Sequence, residues 1–225
     1  MNKSISCLFS YNFFDFSHTI AAPLLQSTTY PWEILPNIAG FIRELAPTLS
    51  PEIYECRGKD VYVARDAHIA PSAYIQGPCI ICPGAEIRHC AFIRGNVIVG
   101  AGAVVGNSTE LKNCILFDGV QVPHYNYVGD SILGYKSHLG AGAVTSNVKS
   151  DKSHVVIKGQ GFALNTEYKK VGAMIGDGVE VGCGAVLCPG TVIGRGSTIY
   201  PLVRVRGVIP EKHIVKGEGV IIPRK

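Results

Sequence analysis

Residues 94–147 contain a high density of side chains that could do chemistry. Lys112 follows Arg94 by three six-residue steps, and His124 follows Lys112 by two more. Two cations at equivalent positions of neighbouring structural units repel each other unless an anion lies between or in front of them. A phosphate group is the usual anion at such a pair. The spacing therefore predicts a site for a small phosphate-bearing ligand.

A six-residue apolar repeat is the element that positions these side chains. Large apolar residues recur at every sixth position from Val63 to Phe117, and again from Ile175 to Val205. Neither a helix period of about 3.6 residues nor a strand period of about 2 requires this spacing. Three such hexads make one triangular coil of short strands, so residues three hexads apart stack in parallel. The repeat predicts an all-β chain folded as a parallel β-helix.

The hexapeptide pattern resembles the left-handed parallel β-helix family. The left hand comes from this resemblance alone, because ordinary parallel crossovers are right-handed. After Phe117 the apolar step alternates between five and six positions, and the irregular stretch includes His124 and Tyr127. A dropped residue tightens a corner and can redirect nearby side chains. We expect the irregular coils to carry the site.

The repeat also predicts where the site lies in an assembly. His124 follows Lys112 by two hexads, which places it at a different edge of the same coil layer. Within one subunit the imidazole would face away from the cations. Three β-helices packed around a threefold axis bring different edges together across each interface. We therefore expect a homotrimer with its pockets between subunits.

Outside the repeat, the chain is predicted to contain a helical N-terminal segment. The apolar residues of 31–46 follow one helical face, with Pro31 suited to a first turn and Pro36 able to split the segment into two short helices. We expect this segment to cover an open end of the β-helix. The predicted divisions are an N-terminal helical cap at 1–57, a β-helix at 58–207 with an excursion loop at 148–172, and an extended tail at 208–225.

Composition limits the possible functions. The net charge of +4 comes without a dense Lys/Arg run, so small anions suit the chain better than nucleic acid. No stretch approaches the roughly 20 apolar residues of a membrane span, and no secretory signal is evident, so we expect a cytoplasmic protein. Cys79 and Cys82 form a CxxC, but no further cysteines complete a recognised zinc spacing. We expect small buried thiols and no metal.

A more specific resemblance rests on four motifs: FIRG with Arg94, VGNSTELKN with Lys112, PHYNYVGD with His124 and Tyr127, and GAGAVTSN ending at Asn147. Their sequence and mutual spacing resemble the acetyltransferase domain of bifunctional glucosamine-1-phosphate acetyltransferase/N-acetylglucosamine-1-phosphate uridylyltransferases. Related archaeal and bacterial sugar-1-phosphate nucleotidylyltransferases share them. The repeat resemblance covers about residues 58–207.

This resemblance implies an acetyl-CoA-dependent N-acetyltransferase of amino-sugar phosphates. His124 corresponds to the general base that takes a proton from the sugar amine, a transfer suited to imidazole. Arg94 and Lys112 correspond to the residues that hold the phosphate of an amino-sugar 1-phosphate, and Tyr127 to a residue that hydrogen-bonds the sugar.

Further positions correspond to contacts with the co-substrate acetyl-CoA. These are Ala141, Asn147 and Cys183, with Lys216 in the basic tail as a partner for the cofactor phosphates. Backbone N–H groups near the GAG turn at Ala141 could stabilise the thioester oxyanion.

The chain also departs from the family. His138 stands where an Asn usually contacts the sugar, so we place it among the substrate-binding residues, and Val148 replaces a typical Tyr. The G-x-G-T-R phosphate motif of the nucleotidylyltransferase domain is absent from the sequence. We therefore expect no nucleotide-sugar synthesis, although the relatives include UDP-N-acetylglucosamine pyrophosphorylases of nucleotide sugar metabolism. The linker-like N-terminal segment suggests that a catalytic domain was lost or that a separate protein supplies it.

Two alternatives remain open. The altered pocket residues are also consistent with a noncatalytic trimer that binds sugar phosphates or acts as a scaffold. A carbonic anhydrase of the γ class on the same fold would need three histidines brought together around zinc. The sequence lacks the close histidine pair of that class.

Overall fold

The computed structural model describes residues 8–224 as a stack of short-stranded coils with helices along one side. Residues 1–7 of the predicted N-terminal segment and residue 225 of the predicted tail lie outside the described residues. Successive coils pair in parallel, and each contributes one strand to each of three flat faces. The predicted all-β parallel β-helix with a helical N-terminal segment is confirmed.

We name the faces A, B and C in the order in which the chain meets them. Face A contains β2 (Val61–Ala64), β5 (Cys79–Ile81), β8 (Val97–Val99), the second halves of β10 (Glu110–Leu116) and β12 (Tyr127–Leu133), β17 (Ala173–Ile175), β20 (Thr191–Ile193) and β23 (Val208–Ile209). Face B contains β3 (His68–Ile69), β6 (Glu86–Ile87), β9 (Val104–Asn107), β11 (Gln121–His124), β13 (His138–Leu139), β18 (Glu180–Val181), β21 (Thr198–Ile199) and β24 (His213–Gly217).

Face C contains β4 (Tyr74–Ile75), β7 (Phe92–Ile93), the first halves of β10 and β12, β14 (Val144–Thr145), β19 (Val186–Leu187) and β22 (Arg204–Val205). The remaining strands pair antiparallel: β1 (Tyr54–Gly58) with β2, β15 (Val156–Gly159) with β16 (Phe162–Asn165), and β25 (Val220–Pro223) with β24.

The repeat residues fill the inside of the coils, as the hexad predicts. Ile69, Ile87 and Val105 pair in register on face B, and Ile75, Ile93 and Leu111 do so on face C. Most of these side chains are fully buried. Side chains alternate between the two sides of a strand, so the outward positions of faces B and C remain polar or partly exposed.

Face A differs because it is apolar on both sides. Its outward residues Ile80, Ile98, Ile115 and Ile132 are as fully buried as the inward ones. A strand buried on both sides has a continuous apolar sequence, as in Cys79–Ile81 and Val97–Val99. Face A therefore needs a second layer.

The N-terminal helices supply that layer. They are α1 (Ser10–Phe13), α2 (Ala22–Gln26) and α3 (Ile38–Leu45), with 3₁₀ turns at Phe16–His18, Pro31–Asn37 and Ala46–Thr48. Helix α3 contacts β8 and β10, and the turn at Pro31–Asn37 contacts β12. The expectation that this segment covers an open end is therefore wrong, because the segment lies along the side of the β-helix and buries the apolar outer residues of face A. The segment is divided near Pro36, which lies inside the 3₁₀ turn Pro31–Asn37, and α3 begins directly after that turn.

The excursion at 148–172 covers more of the same face. Its hairpin β15–β16 buries Val155 and Ile157 completely. A Cβ atom added at Gly190 would lie 2.7 Å from Val155 Cγ1, so the hairpin packs directly against the coil that contains Gly190. Residues 208–224, predicted as an extended tail, instead continue the coils through β23 and β24 and end in the β24–β25 hairpin. None of the helices within residues 8–224 has the length and apolarity to cross a membrane.

The packing of the N-terminal helices on face A predicts how substitutions there change stability. Ile98→Ala should lower the free energy of unfolding by about 2–5 kcal/mol, because it leaves a cavity between the coil and α3. Val186→Ala removes an outward side chain of face C that is 38% exposed, and it should cost well under half as much. Urea denaturation measures both. Equal effects would contradict a packed layer on face A.

Candidate active site

His124, Ala141 and Cys183 stack at the corner between faces B and C. The carbonyl oxygen of His124 accepts the N–H of Gly142 at 3.0 Å, and that of Ala141 accepts the N–H of Gly184 at 2.8 Å. These equivalent bonds join three successive coils at the same position. The structure thus brings the predicted base together with two of the predicted cofactor positions, and we call this set the His124 column.

The His124 imidazole is exposed, and within residues 8–224 its ring makes no hydrogen bond or ion pair. Its backbone is fixed by Asn126, which is 2% exposed. The Asn126 Oδ1 accepts from His124 N at 3.1 Å, while its Nδ2 donates to the carbonyl oxygens of Gly140 at 2.9 Å and Ala143 at 3.0 Å. One buried amide therefore ties the His124 backbone to the GAG turn of the next coil.

Arg94 and Lys112 lie at the corner between faces C and A. They occupy equivalent positions of adjacent coils, because Leu111 pairs with Ile93. Each cation has an acidic neighbour. Arg94 Nη1 donates to Glu110 Oε1 at 2.5 Å, and this hydrogen bond raises the pKa of Arg94.

Lys112 is more loosely held, because its Nζ lies 4.0 Å from Asp130 Oδ2. The dropped residue of the irregular coils also falls at this corner. Ile93 pairs with Leu111 at the regular step of three hexads, whereas Val97 pairs with Cys114 at a step one position shorter. The tightened corner is thus the one that carries Lys112, and not the one that carries His124.

Tyr127 and Asn147 complete the second group of predicted residues. Asn147 Nδ2 donates to Tyr127 Oη at 3.2 Å and to Asp130 Oδ2 at 2.5 Å. Burial raises the pKa of the Tyr127 hydroxyl, and the charge of Asp130 raises it further. Asn147 therefore lies with the predicted substrate residues and not in the His124 column.

The remaining two predicted residues lie outside both groups. His138 is on the outer side of face B, where its Nδ1 lies 2.8 Å from Glu180 Oε2. Lys216 is exposed on β24, and its Nζ lies 5.9 Å from the centre of the Tyr200 ring.

Within one chain, the His124 column and the Arg94–Lys112 corner flank opposite edges of face C. The chain crosses face C from one corner to the other in about five residues, which at about 3.3 Å each is roughly 15 Å. The predicted base and the predicted phosphate ligands are therefore separate in a single chain.

Four bonding partners of the predicted residues were not themselves predicted: Glu110, Asn126, Asp130 and Glu180. A signal for one of them is visible in the sequence. Asn96, Asn113, Asp130 and Asn147 recur at equal steps, each one position shorter than three hexads. This step matches the shortened coils, so the four residues form a column at the corner between faces C and A.

The cysteines of the CxxC are buried small residues. Cys79 is fully buried and Cys82 is 2% exposed. Burial raises the pKa of both thiols, that of Cys82 to about 12, which disfavours the thiolate that a metal would need. In the part of the chain that the structure describes, no three His, Cys, Asp or Glu side chains converge as metal ligands.

Gly129 provides the space for Tyr127 and Asn147. A Cβ atom there would lie 2.4 Å from Tyr127 Oη and 2.9 Å from Asn147 Nδ2. Gly129→Ala should therefore lower the free energy of unfolding by about 1–3 kcal/mol, measured by urea denaturation. Gly40→Ala, in α3 with open space around its Cα, should be neutral or stabilising. An unchanged stability of Gly129→Ala would mean that the two side chains are free to move away.

Comparisons with known proteins identify the repeat. Residues 75–168 match the C-terminal domain of GMPPB, and residues 172–207 match the bacterial transferase hexapeptide, described as six repeats. The GlmU protein of Methanococcus maripaludis strain S2 is 31% identical over 199 residues, which cover 87% of this chain and 48% of that protein.

A bifunctional sugar-1-phosphate nucleotidylyltransferase/acetyltransferase of Sulfurisphaera tokodaii is 32% identical over 162 residues, which cover 72% of this chain and 39% of the relative. The chain thus spans less than half the length of these relatives. The solved structure of the polySia-specific acetyltransferase NeuO matches with a TM-score of 0.50 and 13% identity, over 76% of this chain and 78% of that one. This likeness concerns the fold alone. Together the matches confirm the resemblance, and the chain is a hexapeptide-repeat β-helix protein similar to the GlmU-type acyltransferases.

Proposed function

We propose that the chain is an acetyl-CoA-dependent N-acetyltransferase of amino-sugar phosphates, with active sites between the subunits of a homotrimer. The matches cover the coils that hold both groups of predicted residues. The observation that supports the proposal most is the His124 column, in which an exposed imidazole, unpaired within residues 8–224, is stacked beneath two small residues.

The His124 column offers room and a free donor for the thioester of acetyl-CoA. Ala141 and Cys183 lie in Gly-Ala-Gly and Gly-Cys-Gly turns, so little side-chain volume covers the imidazole on the next coils. In the GAG turn, Gly140 N–H and Gly142 N–H donate to carbonyl oxygens of adjacent coils. Ala141 N–H has no acceptor among the described residues. This N–H is suited to stabilise a developing oxyanion.

The Arg94–Lys112 corner offers donors for a phosphate. A guanidinium has five N–H donors, and Glu110 accepts only one hydrogen bond from that of Arg94. The Lys112 ammonium lies 4.0 Å from Asp130, beyond hydrogen-bonding distance. Both cations therefore keep donors for an anion, although their acidic neighbours reduce the net charge of the corner.

The reaction needs one proton acceptor. In the proposed reaction the sugar amine attacks the thioester carbonyl, the new N–C bond forms, and the C–S bond breaks to release the coenzyme thiolate. His124 accepts the proton that the amine loses, and returns it to the thiolate. Since the two groups lie on opposite edges of face C, a neighbouring subunit has to supply one of them.

The first test is turnover by His124→Ala. The variant should lose about 100-fold or more of the rate of thiol release from acetyl-CoA in a screen of amino-sugar phosphates, because it lacks the proton acceptor. His89→Ala is the matched control, since His89 lies at the same corner two coils earlier and its ring bonds only Ser72 among the described residues. Clean binding of sugar phosphates without turnover in the native chain would favour the noncatalytic trimer instead.

The second test concerns the assembly. His124→Ala and Lys112→Ala chains, each inactive alone, should recover up to about one quarter of native activity when unfolded and reassembled together, because some interfaces then pair two native edges. Light scattering measures the oligomer, and the thiol assay measures the activity. Reassembled trimers without recovered activity would show that each chain carries its own complete site.

A further inference from the structure

The column at the corner between faces C and A contains one acid among amides. Asn96, Asn113 and Asp130 have φ values of 54°, 49° and 48°, in the left-handed region that Asn and Asp tolerate best among residues with a side chain. The backbone would therefore accept either residue type at position 130. Backbone conformation therefore does not explain why position 130 carries an acid and not an amide.

The Asp130 carboxylate accepts hydrogen bonds from the amides of both neighbouring coils. Its Oδ1 accepts from Asn113 Nδ2 at 2.8 Å, and its Oδ2 accepts from Asn147 Nδ2 at 2.5 Å. An asparagine at this position would direct an NH₂ group toward one of these NH₂ groups. The carboxylate is 7% exposed, and the Lys112 ammonium 4.0 Å away offsets part of the cost of burying its charge.

The orientation of the Asn147 amide then determines whether the Tyr127 hydroxyl donates or accepts a hydrogen bond. Asn147 directs its NH₂ toward Asp130, and the same nitrogen lies 3.2 Å from Tyr127 Oη. Tyr127 Oη is thus an acceptor from Asn147, which leaves the hydroxyl hydrogen to donate elsewhere. We propose that Asp130 is a positioning residue that keeps the Tyr127 hydroxyl as a hydrogen-bond donor to the acceptor sugar, an inference that rests on the proposed function.

Exchanging the side chains of positions 130 and 147 separates the effect of hydrogen-bond direction at Tyr127 from an effect on stability. In Asp130→Asn/Asn147→Asp, the amide at position 130 donates to the carboxylate at position 147, so the hydrogen bond and net charge are kept. That carboxylate also accepts the Tyr127 hydroxyl hydrogen and removes it from the ligand. The variant should unfold like the native chain and raise KM for the amino-sugar phosphate about tenfold, with a smaller effect on kcat.

Tyr127→Phe should raise KM by a similar factor, and adding it to the exchange should have no further effect. A native KM in the exchanged variant would overturn the proposal.

The single substitution has its own control. Asp130→Asn should raise KM, whereas Asp118→Asn removes another partly buried carboxylate, whose Oδ1 accepts from Ala101 N at 2.7 Å, and should leave KM unchanged. If Asp130→Asn only lowers the unfolding temperature while KM stays native, Asp130 is structural and the proposal is wrong.

A measurement without substrate separates this inference from the proposed function. The ultraviolet titration of Tyr127 is obtained as the difference between each protein and its Tyr127→Phe counterpart. Asp130→Asn should lower the pKa of Tyr127, because it removes a negative charge that raises it. The exchange should raise that pKa, since it moves the carboxylate next to the hydroxyl. If no amino-sugar phosphate is turned over, the proposed function fails, and an unchanged Tyr127 titration would still overturn the role of Asp130.

Discussion

Parallel pairing between successive coils is the constraint on which the rest of this structure depends. Each backbone hydrogen bond to the next coil fixes one residue above another, so a position is defined by the column to which it belongs. Stacked inward positions fill the core with apolar side chains. Stacked corners place residues from distant parts of the chain above one another, as in the His124 column, and they bring the side chains of Asn113, Asp130 and Asn147 into hydrogen-bonding contact.

The hexad was sufficient to predict the coils and the stacking of Arg94 on Lys112. The hexad was not sufficient to place the helices, because it concerns only the residue of each strand that faces the inside of the coil. The outward residues of face A, such as Ile80 and Ile98, are equally apolar, and their burial requires a cover along the side of the β-helix. Reading three consecutive apolar residues as one strand with two buried sides would have indicated this.

The acidic partners were missed for a different reason. Glu110 is close to Lys112 in sequence, yet it bonds to Arg94 on the coil below. Asp130 bonds to Asn113 and Asn147, each one position nearer in sequence than the regular coil would place it. A single dropped residue at one corner thus decides which side chains meet. The sequence shows the irregularity, but without the pairing register it does not show which corner absorbs it.

The helical layer on face A also limits how this protein can associate. A triangular prism has three sides, and the N-terminal segment together with the excursion hairpin occupies one of them. Two sides remain open, which equals the number of neighbours that each member of a closed ring possesses. In such a ring the helices of face A would lie on the outside, away from the symmetry axis.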